Sequence, residues 1–177
     1  MALAISASLL GATAVAVHAS SRAYRINQEQ SLLMQRCRLA MNRMLTEIRT
    51  SHAHSPLDSS VIDEFAAGQA VVDCGIQMYE PDGTFHAYRY DASARRLETQ
   101  RNGEWHTLLN GVDAFTVTMQ PMRSANSLKT GGGYDLLQRA SITLTVRTTA
   151  ETSEASETTG RQTVSLSSSV TPRANAW

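Results

Sequence analysis

The chain has 177 residues, of which 42% are hydrophobic and 18% charged, and its 16 Lys and Arg residues balance 16 Asp and Glu residues. This composition suits one folded domain with an appendage and excludes a disordered chain. The zero formal charge argues against a nucleic-acid partner. Two cysteines are too few for a disulfide scaffold or a four-cysteine zinc site.

The first 21 residues carry no charged side chain, and the first charge is Arg22. A helix of this length covers about 30 Å, the thickness of the hydrocarbon core of a bilayer. Small residues dilute its larger apolar side chains, and such residues let helices approach closely. We predict that residues 1–21 form a transmembrane or filament-core helix segment whose packing residues are Leu3, Ile5, Leu9, Leu10, Val15 and Val17.

A secretory signal peptide is the alternative for this segment. The small residues around Val17 and Ala19 fit a cleavage site, and the mature chain would then begin at Ser20. The lack of Lys or Arg ahead of the apolar run argues against this alternative, because signal peptides begin with a basic region.

Residues 22–52 are predicted to continue the same helix, since neither Pro nor Gly occurs between Ala12 and His54. Apolar side chains recur here at three- and four-residue steps and therefore share one face. The pairs Arg25/Glu29 and Arg43/Glu47 have helical spacing. The predicted packing face towards a β-sheet domain consists of Leu33, Cys37, Met41 with its neighbour Ala40, Met44 and Ile48.

Residues 57–173 are predicted to form an antiparallel β-sheet domain. Pro56 ends the helix, and residues 58–68 form a helical turn or an irregular connection. Alternating apolar and polar residues then predict strands at 76–79, 84–90, 96–100 and 104–108, with turns at 81–83 and 102–103. Further strands are predicted around Val117, Leu144 and Leu166.

Each predicted strand has an apolar face and a polar or hydroxyl-bearing face, as expected for one sheet with a single wet side. Long loops are predicted at 123–135 and 149–160, and a tail at 174–177. The predicted fold class is therefore α+β, with a long N-terminal helix packed on an antiparallel sheet.

No sequence pattern indicates an enzyme, a cofactor or a resident metal. The glycines at 131–133 follow Lys129 instead of preceding it, unlike a phosphate-binding loop, and the aspartates lack EF-hand spacing. His52 and His54 are interpreted as solvated residues just past the helix rather than as metal ligands.

The two cysteines have two interpretations. Cys37 lies on the predicted packing face of the helix, and Cys74 precedes the first predicted strand. In an oxidising compartment they are a candidate disulfide. Otherwise they are two buried thiols that act as small apolar groups.

Several stretches together resemble type IV pilin-like proteins, most closely the minor pilins and the J-type pseudopilins of type II secretion. They are the run ALAISASLLGATAVAV, its continuation into MNRMLTEIRT, the stretch YRYDASARRLETQRNGEWHTLLNGVDAFTVTM, and the closing pair ITLTVRT and RQTVSLSSSVTPR. The resemblance covers nearly the whole chain, and the order of its parts is more specific than any one of them.

The resemblance implies a non-enzymatic subunit of a pilus or a secretion pseudopilus. Such a subunit is held in the inner membrane by its N-terminal helix, with the C-terminal domain in the periplasm, and then assembles through that helix into a cell-envelope filament. Its implied partners are other pilin-like subunits, the inner-membrane assembly platform and membrane lipid.

The start of the chain departs from the family pattern, in which a basic leader ends in Gly and a glutamate follows shortly after the cleavage site. Met1 to Ile5 instead look like the interior of the apolar run. We therefore expect a leader and further mature residues ahead of Met1.

The competing function is a membrane-tethered or secreted periplasmic binding module. It predicts a concave ligand pocket in the sheet domain and no assembly through the helix.

Overall fold

The computed structural model describes residues 2–80, 84–122, 136–147 and 163–172, with side chains from residue 6 onward. The chain divides into two compact units, residues 1–35 and residues 36–177. The predicted turn at 81–83, the loops at 123–135 and 149–160 and the tail at 174–177 lie outside the described residues.

Helix α1 runs from Ala2 to Thr50 without interruption, which confirms the predicted continuous helix. It ends two residues earlier than predicted. The Ser51 N–H still donates to the Glu47 carbonyl at 2.9 Å, but the His52 N–H donates to Tyr79 of the sheet at 2.8 Å. The helix therefore stops where the backbone begins to pair with a strand.

The chain next forms strand β1 (Ala53–Pro56), a 3-10 turn at Ser59–Val61 and the short helix α2 (Ile62–Ala66). Strand β1 lies before the predicted start of the sheet domain at residue 57. Residues before a proline favour extended dihedrals, which accounts for an extended Ser55. Phe65 of α2 is fully buried and fixes this connection to the domain.

Eight further strands follow within the described residues, and they include every strand predicted from the alternating pattern. They are β2 (Val71–Asp73), β3 (Gly75–Tyr79), β4 (Phe85–Asp91), β5 (Arg96–Arg101), β6 (Glu104–Asn110), β7 (Val112–Met122), β8 (Leu136–Arg147) and β9 (Thr163–Val170).

The strands form two antiparallel sheets, so the prediction of one sheet is wrong. The five-stranded sheet has the order β1-β3-β4-β5-β6, and the four-stranded sheet has the order β2-β7-β8-β9. The break falls between Asp73 and Gly75: β2 pairs with β7, and β3 pairs with β1 and β4.

Asp73 braces this break. Its Oδ2 accepts the backbone N–H groups of Leu57 at 2.5 Å and of Asp58 at 2.8 Å. Gly75 follows closely, and a Cβ at that position would lie 2.6 Å from the Tyr88 carbonyl oxygen. The chain therefore changes sheets where only a glycine fits against the neighbouring strand.

The core of the four-stranded sheet follows the predicted alternation. Val117 of β7 pairs with Ile142 of β8, and Phe115 pairs with Leu144, all of them buried. The intervening Thr143 and Thr145 face outward and contact Ser167 and Ser165 across the sheet at 3.3 and 3.2 Å.

Candidate assembly surface on the long helix

The first unit of the chain presents large apolar side chains that no other described residue covers. Leu9, Leu10, Val15 and Val17 are 67, 70, 70 and 69% exposed. The remaining predicted packing residues, Leu3 and Ile5, lie within α1, but their side chains fall outside the described residues. Exposed apolar side chains concentrated in one segment are typical of an interaction surface.

The side chain of Thr13 suits a dry environment. The Thr13 hydroxyl lies 2.9 Å from the carbonyl oxygens of both Leu9 and Leu10, so it is satisfied by its own helix. Within lipid or between helices, polar groups must find partners without water. Thr13 meets this demand without help from another chain.

Gly11 makes the helix narrow at this position, because glycine has no side chain. A Cβ at this position would meet no atom within 4 Å. Glycine inside a helix costs roughly 0.5–1 kcal/mol relative to alanine, and no tertiary contact with another described residue requires a glycine here. A small residue on an exposed helix allows a second helix backbone to approach closely.

The end of α1, in the second unit, has the opposite character. The predicted packing face is buried: Cys37, Met41, Met44 and Ile48 are at most 4% exposed, as is Ala40. Leu33, in the first unit, is half-buried. The same helix thus carries an uncovered apolar segment and a segment that belongs to the core of the domain.

Glu47 fixes the end of the helix to the five-stranded sheet. Its carboxylate accepts a hydrogen bond from the Tyr88 hydroxyl, and it pairs with Arg43 at 3.2 Å and Arg101 at 2.9 Å. Burial raises the pKa of Glu47, but the hydrogen bonds from Tyr88 and Arg43 outweigh burial and lower the pKa below its usual value. Burial and the Glu47 carboxylate raise the pKa of Tyr88. This carboxylate is therefore held ionised.

His54 also connects the end of α1 to strand β1. The expectation that His54 is solvated is wrong. The side chain is fully buried, and its Nε2 lies 3.0 Å from the Ile48 carbonyl oxygen, near the end of α1. Burial lowers the pKa of His54 to about 4. The neutral ring therefore donates from Nε2 to a helix-end carbonyl that would otherwise lack a partner.

Two features were not predicted from the sequence. One is the hydrogen bond between Glu47 and Tyr88, which we call the tether, and the other is the burial of His54. The pairing of Glu47 with Arg43 was predicted from spacing, and the structure has it. Nothing in the local pattern pointed to Tyr88, because it lies 41 positions away along the chain.

Cys37 and Cys74 are both free thiols in the structure. Cys37 is buried and Cys74 is exposed. Burial raises the pKa of the Cys37 thiol. Partial desolvation of the thiol, together with the neighbouring Asp73 carboxylate, raises the pKa of Cys74. A raised pKa lowers the reactivity of each cysteine as a thiolate.

Within the described ranges, no group of three His, Cys, Asp or Glu residues is placed to hold a metal ion. Among the described residues, no helix combines the length and apolar character needed to cross a bilayer. Comparison with protein-family models, curated proteins and solved structures finds no match to this chain.

Proposed function

We propose that this protein is a non-enzymatic minor pilin or pseudopilin subunit. Its N-terminal helix holds it in the inner membrane, with the sheet domain in the periplasm. The same helix then packs among other pilin-like subunits in a pilus or a secretion pseudopilus, at the inner-membrane assembly platform.

One observation carries the proposal: a single 49-residue helix is exposed and apolar at its start and buried in a sheet domain at its end. A helix in a globular protein averages about 11–12 residues, so a stable fold does not require this length. Leaving side chains such as Leu10 and Val17 in water is unfavourable by roughly 25 cal/mol per Å² of apolar surface. Neighbouring helices or lipid would remove that cost.

The end of α1 supports the proposal from the other side. Met44 and Ile48 are fully buried, and Glu47 is bonded to Tyr88 and Arg101. A force applied to the helix is therefore carried into the sheet domain through packed and charge-assisted contacts. A filament subunit that is pulled from the membrane by its helix needs such a connection.

The test is to introduce a lysine into the apolar segment. We expect Leu9→Lys and Val15→Lys to remove the protein from the membrane fraction and from sheared filaments, because a cation at mid-bilayer costs roughly 3 kcal/mol on insertion scales. Val72→Lys is the matched control, since Val72 is an apolar residue of the sheet domain that is 59% exposed. Unchanged membrane retention and filament incorporation of both helix variants would refute the proposal.

The competing binding module makes a different prediction for the same variants. If the helix is only an anchor, Leu9→Lys abolishes membrane retention, but the wild-type protein never copurifies with other pilin-like subunits. Identification of those subunits in the purified wild-type fraction therefore separates the two functions.

A further inference from the structure

A groove of about 330 Å³ lies in the second unit, between the end of α1 and strand β6. Its floor is apolar: Ala40 and Leu109 are almost fully buried, while Leu39 is 73% exposed at the rim. The remaining lining residues are Arg36, Arg43 and Leu108.

The charge on the rim of the groove is positive. Arg43 is paired with Glu47 at 3.2 Å. Arg36 is exposed and has no acidic partner within the described ranges. The groove therefore suits an occupant that combines apolar side chains with a carboxylate.

The same chain carries a ridge of that kind at α2. Asp63 and Glu64 lie in the first turn of α2 and are exposed, next to half-buried Val61 and Ile62. Fully buried Phe65 fixes the ridge to the domain. We call Val61 to Glu64 the acidic ridge.

The groove and the acidic ridge lie at opposite edges of the five-stranded sheet. The groove borders β6, which is one edge strand, and α2 contacts β1, which is the other. Four strand spacings of about 4.8 Å separate these edges by about 19 Å. Since α2 is fixed by Phe65, the acidic ridge is not placed to occupy the groove of its own chain.

We propose that the groove of one copy receives the acidic ridge of a second copy, a contact that rests on the proposed function as a filament subunit. Different surfaces of the two copies meet, so the contact is heterologous, that is, head-to-tail. Arg36 lies opposite Asp63 and Glu64 across this interface. The equal numbers of basic and acidic residues in the chain keep copies from repelling one another overall.

The contact is tested by crosslinking purified full-length chains in detergent. All chains carry Cys74→Ser, which removes the exposed native thiol. One population carries Leu39→Cys at the groove, and the other carries Ala66→Cys at the end of α2, which leaves every charge in place. We expect a disulfide-linked heterodimer when the two populations are mixed under mild oxidation.

The matched control replaces Ala66→Cys by Thr116→Cys, on the exposed face of the four-stranded sheet. We expect little heterodimer with this partner. Equal yields from the two mixtures would overturn the proposal, because they would reflect random collision.

A charge exchange tests the chemistry of the contact. Arg36→Glu in the groove population should lower the heterodimer yield about fivefold, the effect of losing one modest ion pair. Glu64→Lys in the ridge population should restore it. A yield that is unchanged by Arg36→Glu, or not restored by Glu64→Lys, would contradict the proposed pairing.

The outcome is separable from the outcome for the proposed function. If the crosslink fails while Leu9→Lys still abolishes membrane retention and assembly, the groove has another occupant and the proposed function stands. If the crosslink forms while Leu9→Lys changes neither, the copies associate but the helix is not the assembly element.

Discussion

The Tyr88 hydroxyl donates to the Glu47 carboxylate and so joins the end of α1 to the middle of the five-stranded sheet. Tyr88 is fully buried, and the Glu47 carboxylate also accepts hydrogen bonds from Arg43 and Arg101. The helix is thus attached to its domain by a charged group at the edge of an apolar contact. Removal of either Tyr88 or Glu47 leaves the other side chain without this hydrogen bond.

The first prediction concerns this tether. Tyr88→Phe should lower the free energy of unfolding by about 1–3 kcal/mol, because a hydrogen bond to a charged group is lost inside the protein. The matched control is Tyr90→Phe, since Tyr90 donates only to the backbone carbonyls of Val112 and Asp113. Its expected loss is about 1 kcal/mol. Equal losses in denaturant unfolding would show that the Glu47 bond has no special weight.

The second prediction compares the two sides of α1. Met44→Asp should destabilise the sheet domain by several kcal/mol, because it places a charge at a fully buried position. Leu39→Asp is the control, since Leu39 is 73% exposed on the same helix, and it should change stability by no more than about 0.5 kcal/mol. Thermal unfolding of both variants measures the difference. Similar melting temperatures would mean that Met44 is not in the core.

The third prediction concerns pH and His54. Its pKa is about 4 in the folded protein against an ordinary 6.5, so between these values the unfolded chain binds a proton that the folded chain does not. The free energy of unfolding should therefore fall by about 3 kcal/mol as the pH drops from 6.5 to 4. The pKa of Glu47 is lowered in the folded protein, so its carboxylate stabilises the fold while it is ionised. Protonation of Glu47 therefore removes further stability as the pH falls below the usual pKa of a glutamate.

His54→Gln is the control for this pH dependence. The glutamine amide can still donate to the Ile48 carbonyl but does not titrate. Denaturant unfolding of this variant should show a nearly flat stability between pH 6.5 and 5. A slope equal to that of the wild type would assign the pH dependence to other groups.

The fourth prediction tests close packing at Gly11. Gly11→Ala should leave assembly intact, because alanine raises helix propensity and adds little volume. Gly11→Leu should reduce filament incorporation strongly while leaving the unfolding of the sheet domain unchanged, since the position has open space within its own chain. Normal incorporation of Gly11→Leu would show that no second helix approaches this site.

Most elements of the fold were predicted from local sequence patterns, but strands β1 and β2 and the arrangement of the sheets were not. Residue alternation around Val117 and Leu144 predicted strands, and the three- and four-residue steps through Met44 predicted the buried helix face. The division into two sheets depends on Asp73 and Gly75, whose roles arise from contacts with Leu57 and Tyr88. Contacts between residues so far apart in the chain produce no periodic pattern in the sequence from which they could be predicted.

The candidate assembly surface was also predicted only in part, because some of its residues are identified by local patterns and others by long-range contacts. The lack of charge in residues 1–21 identified the apolar segment directly. The tether at Glu47 and the burial of His54 depend on partners that only the folded chain brings together. His54 in particular follows a helix end and precedes Ser55-Pro56, a pattern that also fits a solvated loop.

The assembly role of α1 is tested most directly by a photocrosslinker placed at Val17, in the exposed apolar part of α1, in the intact cells that make the protein. If α1 is the assembly element, mass spectrometry should map the adducts to the N-terminal helices of other pilin-like subunits. The same crosslinker at Thr116, on the outer face of the four-stranded sheet, should give none. A mature chain that begins at Ser20, or a chain whose Val17 crosslinks to no such helix, would contradict the assembly role of α1.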